Sequence, residues 1–390
     1  MINLEDAFRF VSAYAPIMET EKVELPDALG RVLAEDVFSD IDMPPFNKSA
    51  MDGYALRYSD IHKVLNVKGT IAAGQQAIFC NPGECVAIMT GAAVPEWADY
   101  IIPTENVEKI SENQIKISNP TQSTNIAPKG QDVSQGDLIF NRGQLLSPVN
   151  IAMLAAIGVV QPLVYKKVRA VVFSTGDELV EPSDYPAGAT IRNTNAYQLL
   201  AMLRQMPVDA VYGGIIRDNP HEIETKLSSA IDQFSMVVLS GGVSMGDFDF
   251  IPEILKKIGA QIVFHTIRVK PGKPTLFAIK DKTTIFALPG NPVSSLLHCK
   301  LLVSRNVYAR MEHQFSELVI RMPLAVDIFI KNANRVSLIP VGINENNEVY
   351  PVEYHGSAHI MAITNAIGIV KFEVGENYKR KGEIVDVRLL

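Results

Sequence analysis

Apolar and polar positions alternate in three different rhythms along the chain. In residues 3–15, Leu4, Phe8, Val11 and Tyr14 recur at helical spacing behind Asn3, a residue suited to cap a helix. Residues 28–37 read as a second short helix or a helix-to-strand connection. From about residue 60 to 134 the rhythm shortens. Apolar runs at 64–67, 85–89, 100–102 and 115–117 are separated by Gly, Pro and Asn, the pattern of a small all-β module. Ser147-Pro148 then opens a helix through Ala156 with Gly158 past its end, resuming the style of the first forty residues. The β module therefore reads as an insertion into an earlier domain.

The third rhythm runs from 168 to 311, where strands and helices alternate as in a doubly wound, mostly parallel α/β sheet. Strands are predicted at 169–173, 209–216, 237–240, 261–269 and 284–288. Helices follow Asn193-Thr194-Asn195, Asn219-Pro220, Phe250 and Asn291-Pro292. Beyond 313, short strands and polar turns return, which predicts a C-terminal β-barrel-like domain. The expected organisation is multidomain α/β plus β. Residues 1–42 with 135–167 form a discontinuous linker or dimerisation domain. Residues 43–134 form the inserted β domain, 168–312 the α/β domain and 313–390 the C-terminal β domain.

Composition narrows the function classes. The 390 residues carry 36 basic and 43 acidic side chains, a net charge of −7, which argues against a general nucleic-acid binder. Cys80, Cys85 and Cys299 have no metal-binding spacing, and an odd count does not suit a disulfide framework, so a reduced cytoplasmic setting is expected. The opening residues lack the basic-then-apolar pattern of a signal peptide, and the longest apolar run, near 151–160, is too short to span a bilayer.

Candidate chemistry lies at the strand ends. The run 237–250 is an apolar strand breaking into Ser240-Gly241-Gly242-Val243-Ser244-Met245-Gly246-Asp247-Phe248-Asp249. Its glycines let backbone N–H groups approach an anion, and a helix start follows. In a parallel sheet all carboxyl ends share one edge, so Asp177, Glu178, Asp218, Asp247 and Asp249 should face one cleft. Two carboxylates about 4 Å apart repel by roughly 4 kcal/mol at an effective dielectric near 20, so such a cleft calls for Mg²⁺ or proton sharing. Lys270 and Lys273 bring positive charge on a Pro-Gly frame. Together these suggest phosphoryl or nucleotidyl chemistry; helix capping by single acids is the bland alternative. The loop bearing Lys48, Ser49 and Asp52 reads by chemistry alone as a solvated turn.

Several of these stretches, in order, resemble the signature of the MoeA family, the molybdopterin molybdenumtransferases, to which the gephyrin E domain also belongs. They are Pro45-Phe46-Asn47-Lys48-Ser49-Ala50-Met51-Asp52-Gly53-Tyr54-Ala55, Met89-Thr90-Gly91-Ala92, Ser174-Thr175-Gly176-Asp177-Glu178-Leu179, Ser240 to Gly246, Lys270-Pro271-Gly272-Lys273-Pro274 and Leu288-Pro289-Gly290-Asn291-Pro292-Val293-Ser294. The resemblance spans nearly the whole chain. It implies four domains, an elongated homodimer, and a site between the α/β domain and the partner subunit. It also implies Mg²⁺-dependent insertion of molybdate into adenylylated molybdopterin with release of AMP.

By the same resemblance, the nucleotide lies near Ser240, Gly241, Gly242, Ser244, Asp249 and Asn291, molybdate near Lys270, Lys273, Pro274 and Ser357, and Ser294 contacts substrate. Asp52, Glu178, Asp218 and Asp249 take catalytic roles, Asp218 and Asp249 bind the metal, and Thr90 and Asp132 contact substrate. Molybdopterin adenylyltransferase and apo-molybdoenzymes are the implied partners. Three positions depart from the family pattern. Val341 stands where an anion-binding arginine is expected, with Arg335 six residues earlier; Ala87 and Thr266 stand where basic residues are common. Two alternatives remain open at this stage, a molybdopterin adenylyltransferase and a non-catalytic scaffold of the gephyrin E type.

Overall fold

A computed structural model describes residues 1–243, 249–353, 356 and 358–390. The chain divides into two compact units. One comprises Met1–Glu35, Arg142–Ile151 and Gln161–Leu390, and the other Asp36–Asn141 and Ala152–Val160.

The first unit is built on a six-stranded sheet in the order Val208–Ile216, Val168–Thr175, Met236–Ser240, Thr283–Leu288, Pro274–Lys280, Gln261–Thr266. The first four strands are parallel, and the last two pair antiparallel with their neighbours. Both faces are covered, which explains the unbroken apolar runs of the parallel strands. On one face Val172, Val238 and Phe286 pack with Leu199, Leu203, Val293 and Leu297 of the helices Asn195–Leu203 and Pro292–His298. On the other, Val171, Val237 and Ile285 pack with Ile223 and Leu227 of Pro220–Gln233 and with Ile254 and Leu255 of Ile251–Lys257. Neighbouring residues of one strand thus serve opposite layers, as the period of two requires. The caps follow the sequence reading: Asn3 accepts from Asp6 N at the start of Leu4–Ala13, and Asn219 accepts from His221 N and Glu222 N ahead of Pro220.

A second sheet in this unit orders Val269–Lys270, Val336–Ile343, Gly368–Phe372, Ile384–Leu389 and Val319–Pro323, with Val349–Pro351 on the other side of Val336–Ile343. The expected single strand over 261–269 is therefore two. Gln261–Thr266 stays in the first sheet, and Val269–Lys270 pairs with Val336 and Ser337 in the second. The strand Pro274–Lys280 was absent from the sequence reading. Pro274 opens it at the first position, where a missing N–H disturbs a ladder least.

The other unit holds a six-stranded sheet in the order Tyr100–Pro103, Gly53–Leu56, Glu84–Ile88, Val64–Ile71, Gln114–Ile117, Val107–Ser111. This is the small β module expected from the short apolar runs. Lys48–Ser49 is not a solvated turn: it pairs with Ile126–Ala127, and Ser49 is buried with its Oγ donating to Met51 O at 2.6 Å.

Residues 28–37 are the helix-to-strand connection and not the second helix. One short 3₁₀ turn, Leu25–Ala28, gives way at Gly30 (φ 71°) to extended backbone, where Val32 bridges Leu145 and Leu33 bridges Val164. Both side chains are fully buried, and a β-branched residue flanked by Leu suits that extended, packed backbone better than an exposed helix. Among the described residues, no helix is long and apolar enough to cross a membrane. Cys80, Cys85 and Cys299 are buried and unpaired.

Candidate functional site

The register of the parallel strands fixes the site. Ser174, Ser240 and Leu288 lie side by side, and Thr175 pairs with Ile216, so the segments leaving these strands emerge along one edge. Those segments carry Glu178, Asp218, Gly241-Gly242 and Asn291, all of which line one cavity of about 720 Å³ together with Ser240, Asp249 and Pro274. Of the acids predicted to share a strand-end cleft, Glu178, Asp218 and Asp249 line this cavity and Asp177 does not. The lysine loop reaches the same edge by another route: Pro274–Lys280 runs antiparallel to Thr283–Leu288, so its beginning meets the neighbour's end.

Gly241 holds φ 101°, and a Cβ there would come within 2.6 Å of Thr175 O. Only glycine fits that approach. Thr175 Oγ1 is buried without a hydrogen-bond partner among the described residues and lines the cavity beside this turn. Asn195 Nδ2 donates to Ser240 Oγ at 2.7 Å and to Gly290 O at 2.6 Å, tying two strand ends together. Behind them, Ser174 Oγ donates to Asn193 Oδ1 at 2.8 Å, and Asn193 Nδ2 donates to Tyr212 Oη at 2.8 Å. Tyr212 Oη in turn donates to Glu181 Oε1 at 2.6 Å, and burial, reinforced by Glu181, raises its pKa. Asn193 and Asn195 were read only as a lead into a helix; their side chains build the wall.

The acidic side of the cavity is internally cross-braced. Asp177 N donates to Asp218 Oδ2 at 3.4 Å and Asp218 N to Asp177 Oδ1 at 3.2 Å, while Arg217 Nη1 donates to Asp177 O at 2.9 Å. Burial raises the pKa of Asp218, and the charges of Asp177, Glu178 and Asp249 push in the same direction. A cation placed among these acids would be stabilised by the charges that now repel. Among the described residues, no group of three or more Asp, Glu, His or Cys side chains is arranged to hold a metal by itself.

A second cavity of about 390 Å³ shares Pro274, Pro289 and Asn291 with the first. Lys270, Lys273, Ser294 and Arg335 line it, and among the described residues no carboxylate does. Arg335 Nη1 donates weakly to Val269 O at 3.4 Å, which leaves most of its fork uncommitted within the described residues. The guanidinium of this cavity comes from Arg335 and not from position 341. Val341 has no exposed surface and packs with Leu324, Val349, Phe372 and Val387, so it does not face either cavity. The pairing of Val269–Lys270 with Val336–Ser337 is what brings the arginine beside the lysines, and that long-range pairing leaves no local signal.

Of the other residues singled out from sequence, Asp52, Thr90 and Asp132 belong to the β-rich unit. Thr90 donates through both N (2.7 Å) and Oγ1 (2.8 Å) to Asp52 Oδ1, and those bonds hold the Asp52 carboxyl below the usual range. Asp132 is exposed, its N–H donating to Met43 O. Ser244, Asp247 and Ser357 lie outside the described residues.

Comparison with known proteins covers most of the chain in three pieces. Residues 2–158 match the MoeA N-terminal region (domain I and II), 171–308 a probable molybdopterin binding domain, and 321–390 the MoeA C-terminal region (domain IV). The chain is 38% identical over 302 residues to a molybdopterin molybdenumtransferase of Haemophilus influenzae, covering 76% of this chain and 74% of that protein. A protein of the same name from Synechocystis is 34% identical over 327 residues, covering 81% and 84%. The crystal structure of a molybdopterin biosynthesis MoeA protein from Pyrococcus horikoshii superposes with a TM-score of 0.86 at 26% identity, covering all of both chains.

Proposed function

Because this chain belongs to the MoeA family, we propose that it is a molybdopterin molybdenumtransferase, which inserts molybdate into adenylylated molybdopterin and releases AMP. The observation that carries this reading is the pair of adjoining cavities of opposite character. The larger has a glycine turn, buried hydroxyls and acids, which suits an adenylylated pterin. The smaller is ringed by Lys270, Lys273 and Arg335, which suits a tetrahedral oxyanion. Pro274, Pro289 and Asn291 belong to both, so the two substrates would meet along them.

Within this reading, the Gly241-Gly242 backbone and Ser240 bind the nucleotide part, and Asn195 orients Ser240. Lys270, Lys273 and Arg335 hold molybdate by charge-assisted hydrogen bonds, with Ser294 beside them. Asp218 and Asp249 are the residues that would hold Mg²⁺. Hard carboxylate oxygens in a crowded acidic wall suit that ion, and substrate phosphate oxygens would complete its shell. Bound there, Mg²⁺ would neutralise phosphate charge as AMP departs. Glu178 adds a further acid to that wall, and Asp52 with Thr90 forms a polar pair for which the family supplies a catalytic role. The reading also includes a cytoplasmic homodimer, supplied by a molybdopterin adenylyltransferase and delivering to apo-molybdoenzymes.

The test is direct. Purified protein is incubated with adenylylated molybdopterin, molybdate and Mg²⁺, and AMP is followed. Molybdate-dependent AMP release is expected. Consumption of nucleotide to make the adenylylated pterin would favour an adenylyltransferase, and no turnover with retained pterin binding would favour a scaffold.

A further inference from the structure

The smaller cavity contains one polar group that nothing in the protein explains. Ser337 is 2% exposed, lines this cavity, and its Oγ has no hydrogen-bond partner among the described residues. Buried hydroxyls are almost always bonded, because a desolvated donor without an acceptor costs stability. Its neighbours are informative. Ser337 is the register partner of Lys270 across the strand pair, and Arg335 lies two residues before it on the same segment. Arg335 immediately precedes the strand Val336–Ile343, and it and Ser337 line the same cavity. Among the described residues, the orphan hydroxyl shares its cavity with three cations and no carboxylate.

We propose that Ser337 is the neutral donor of the oxyanion subsite, its O–H completing the set of hydrogen bonds that Lys270, Lys273 and Arg335 begin. This rests on the reading of the smaller cavity as the molybdate site. An apolar occupant would leave the hydroxyl as unsatisfied as before, and a metal cation would be repelled by the three positive groups. An anion with oxygens on every side meets both demands. The hydroxyl also adds direction that the charges lack. A lysine ammonium rotates and attracts from any angle, whereas a buried serine on a paired strand offers its proton from one fixed place.

Isothermal titration of molybdate into wild-type protein, Ser337→Ala and Lys273→Ala tests this, with melting temperature followed in each with and without molybdate. Ser337→Ala is expected to bind molybdate at least fivefold more weakly. Its melting temperature without molybdate should equal or exceed that of wild type, because the substitution removes a stranded donor. The increment that molybdate adds to the melting temperature should shrink. A serine that served only packing would instead lower the melting temperature and leave the affinity alone, and that result overturns the proposal. If Lys273→Ala loses affinity while Ser337→Ala keeps it, Ser337 has no part and the molybdate reading stands. If wild-type protein binds no molybdate, both fall together.

Discussion

His298 Nδ1 lies 2.7 Å from Thr275 Oγ1, and both side chains are buried. The ring's Nε2 lies 3.2 Å from Pro271 O, and Thr275 Oγ1 donates to Gly272 O at 3.0 Å. The ring also fills the space under Gly272, where a Cβ would come within 2.2 Å of Nε2. One histidine at the end of the helix Pro292–His298 thus fastens the loop that carries Lys270 and Lys273. The start of that helix carries Ser294, another residue of the same cavity.

Burial lowers the His298 pKa from 6.5 to about 4, which makes stability depend on pH. As pH falls below 6.5 the unfolded imidazole gains a proton that the folded one refuses until about pH 4. The native state should lose about 1.4 kcal/mol per pH unit across that window and nothing more from this group above it. Urea unfolding of wild type and His298→Gln between these limits checks this. The variant should show the shallower dependence, and equal slopes would remove His298 as the source.

Asp218 sits where stability and function pull apart. Its carboxylate is disfavoured by burial and by three neighbouring acids, so Asp218→Asn removes repulsion from the native state. The variant should melt at the same temperature or higher, while AMP release falls roughly tenfold or more through loss of a metal ligand. A marked drop in melting temperature would mean that Asp218 serves the fold first.

Gly241→Ala should act in the opposite way. The added methyl meets Thr175 O at 2.6 Å on backbone already at φ 101°. A cost of about 2 kcal/mol or more is expected, together with weaker binding of the adenylylated pterin. Denaturant titration gives the first quantity and a binding isotherm the second. A fully stable variant would show that the turn has room to relax.

Positions 335 and 341 separate what the sequence revealed from what it hid. Arg335→Ala should raise the half-saturating molybdate concentration at least about tenfold, the equivalent of 1.4 kcal/mol. Val341→Arg should place a guanidinium among Leu324, Val349 and Phe372 and destabilise the protein by at least about 3 kcal/mol. Activity assays at graded molybdate and thermal melts distinguish the two. A stable Val341→Arg protein with improved molybdate affinity would overturn the burial seen here.

The layered α/β sheet, its capped helices and its acidic strand-end cleft were legible because period, Pro and Asn act within a few residues. Asn219 ahead of Pro220 and the glycines after Ser240 are such signals. The strand Pro274–Lys280 hid behind its opening proline, although the apolar run that follows was there to be read. Arg335, Ser337 and His298 reach the site through pairings and packing between distant segments, which no window on the sequence contains. The two asparagines of the cavity wall failed for a different reason. Asn193 and Asn195 resemble helix-capping residues, and only the bonds to Tyr212 and Ser240 reveal their other task.

The N-terminal helix has a consequence for how the chain is made. Asn306 Nδ2 donates to Val11 O at 2.7 Å across 295 positions of sequence, and Leu4 and Val11 share a core with Val303 and Val307. On a ribosome adding about 5–20 residues per second, Leu4–Ala13 waits roughly 15–60 s for the helix that completes its surroundings. The β-rich unit, encoded almost wholly in between, has all its strands by residue 140 and can close first. Until then the apolar face of Leu4–Ala13 lacks the Val303 and Val307 side chains that share its core in the folded protein.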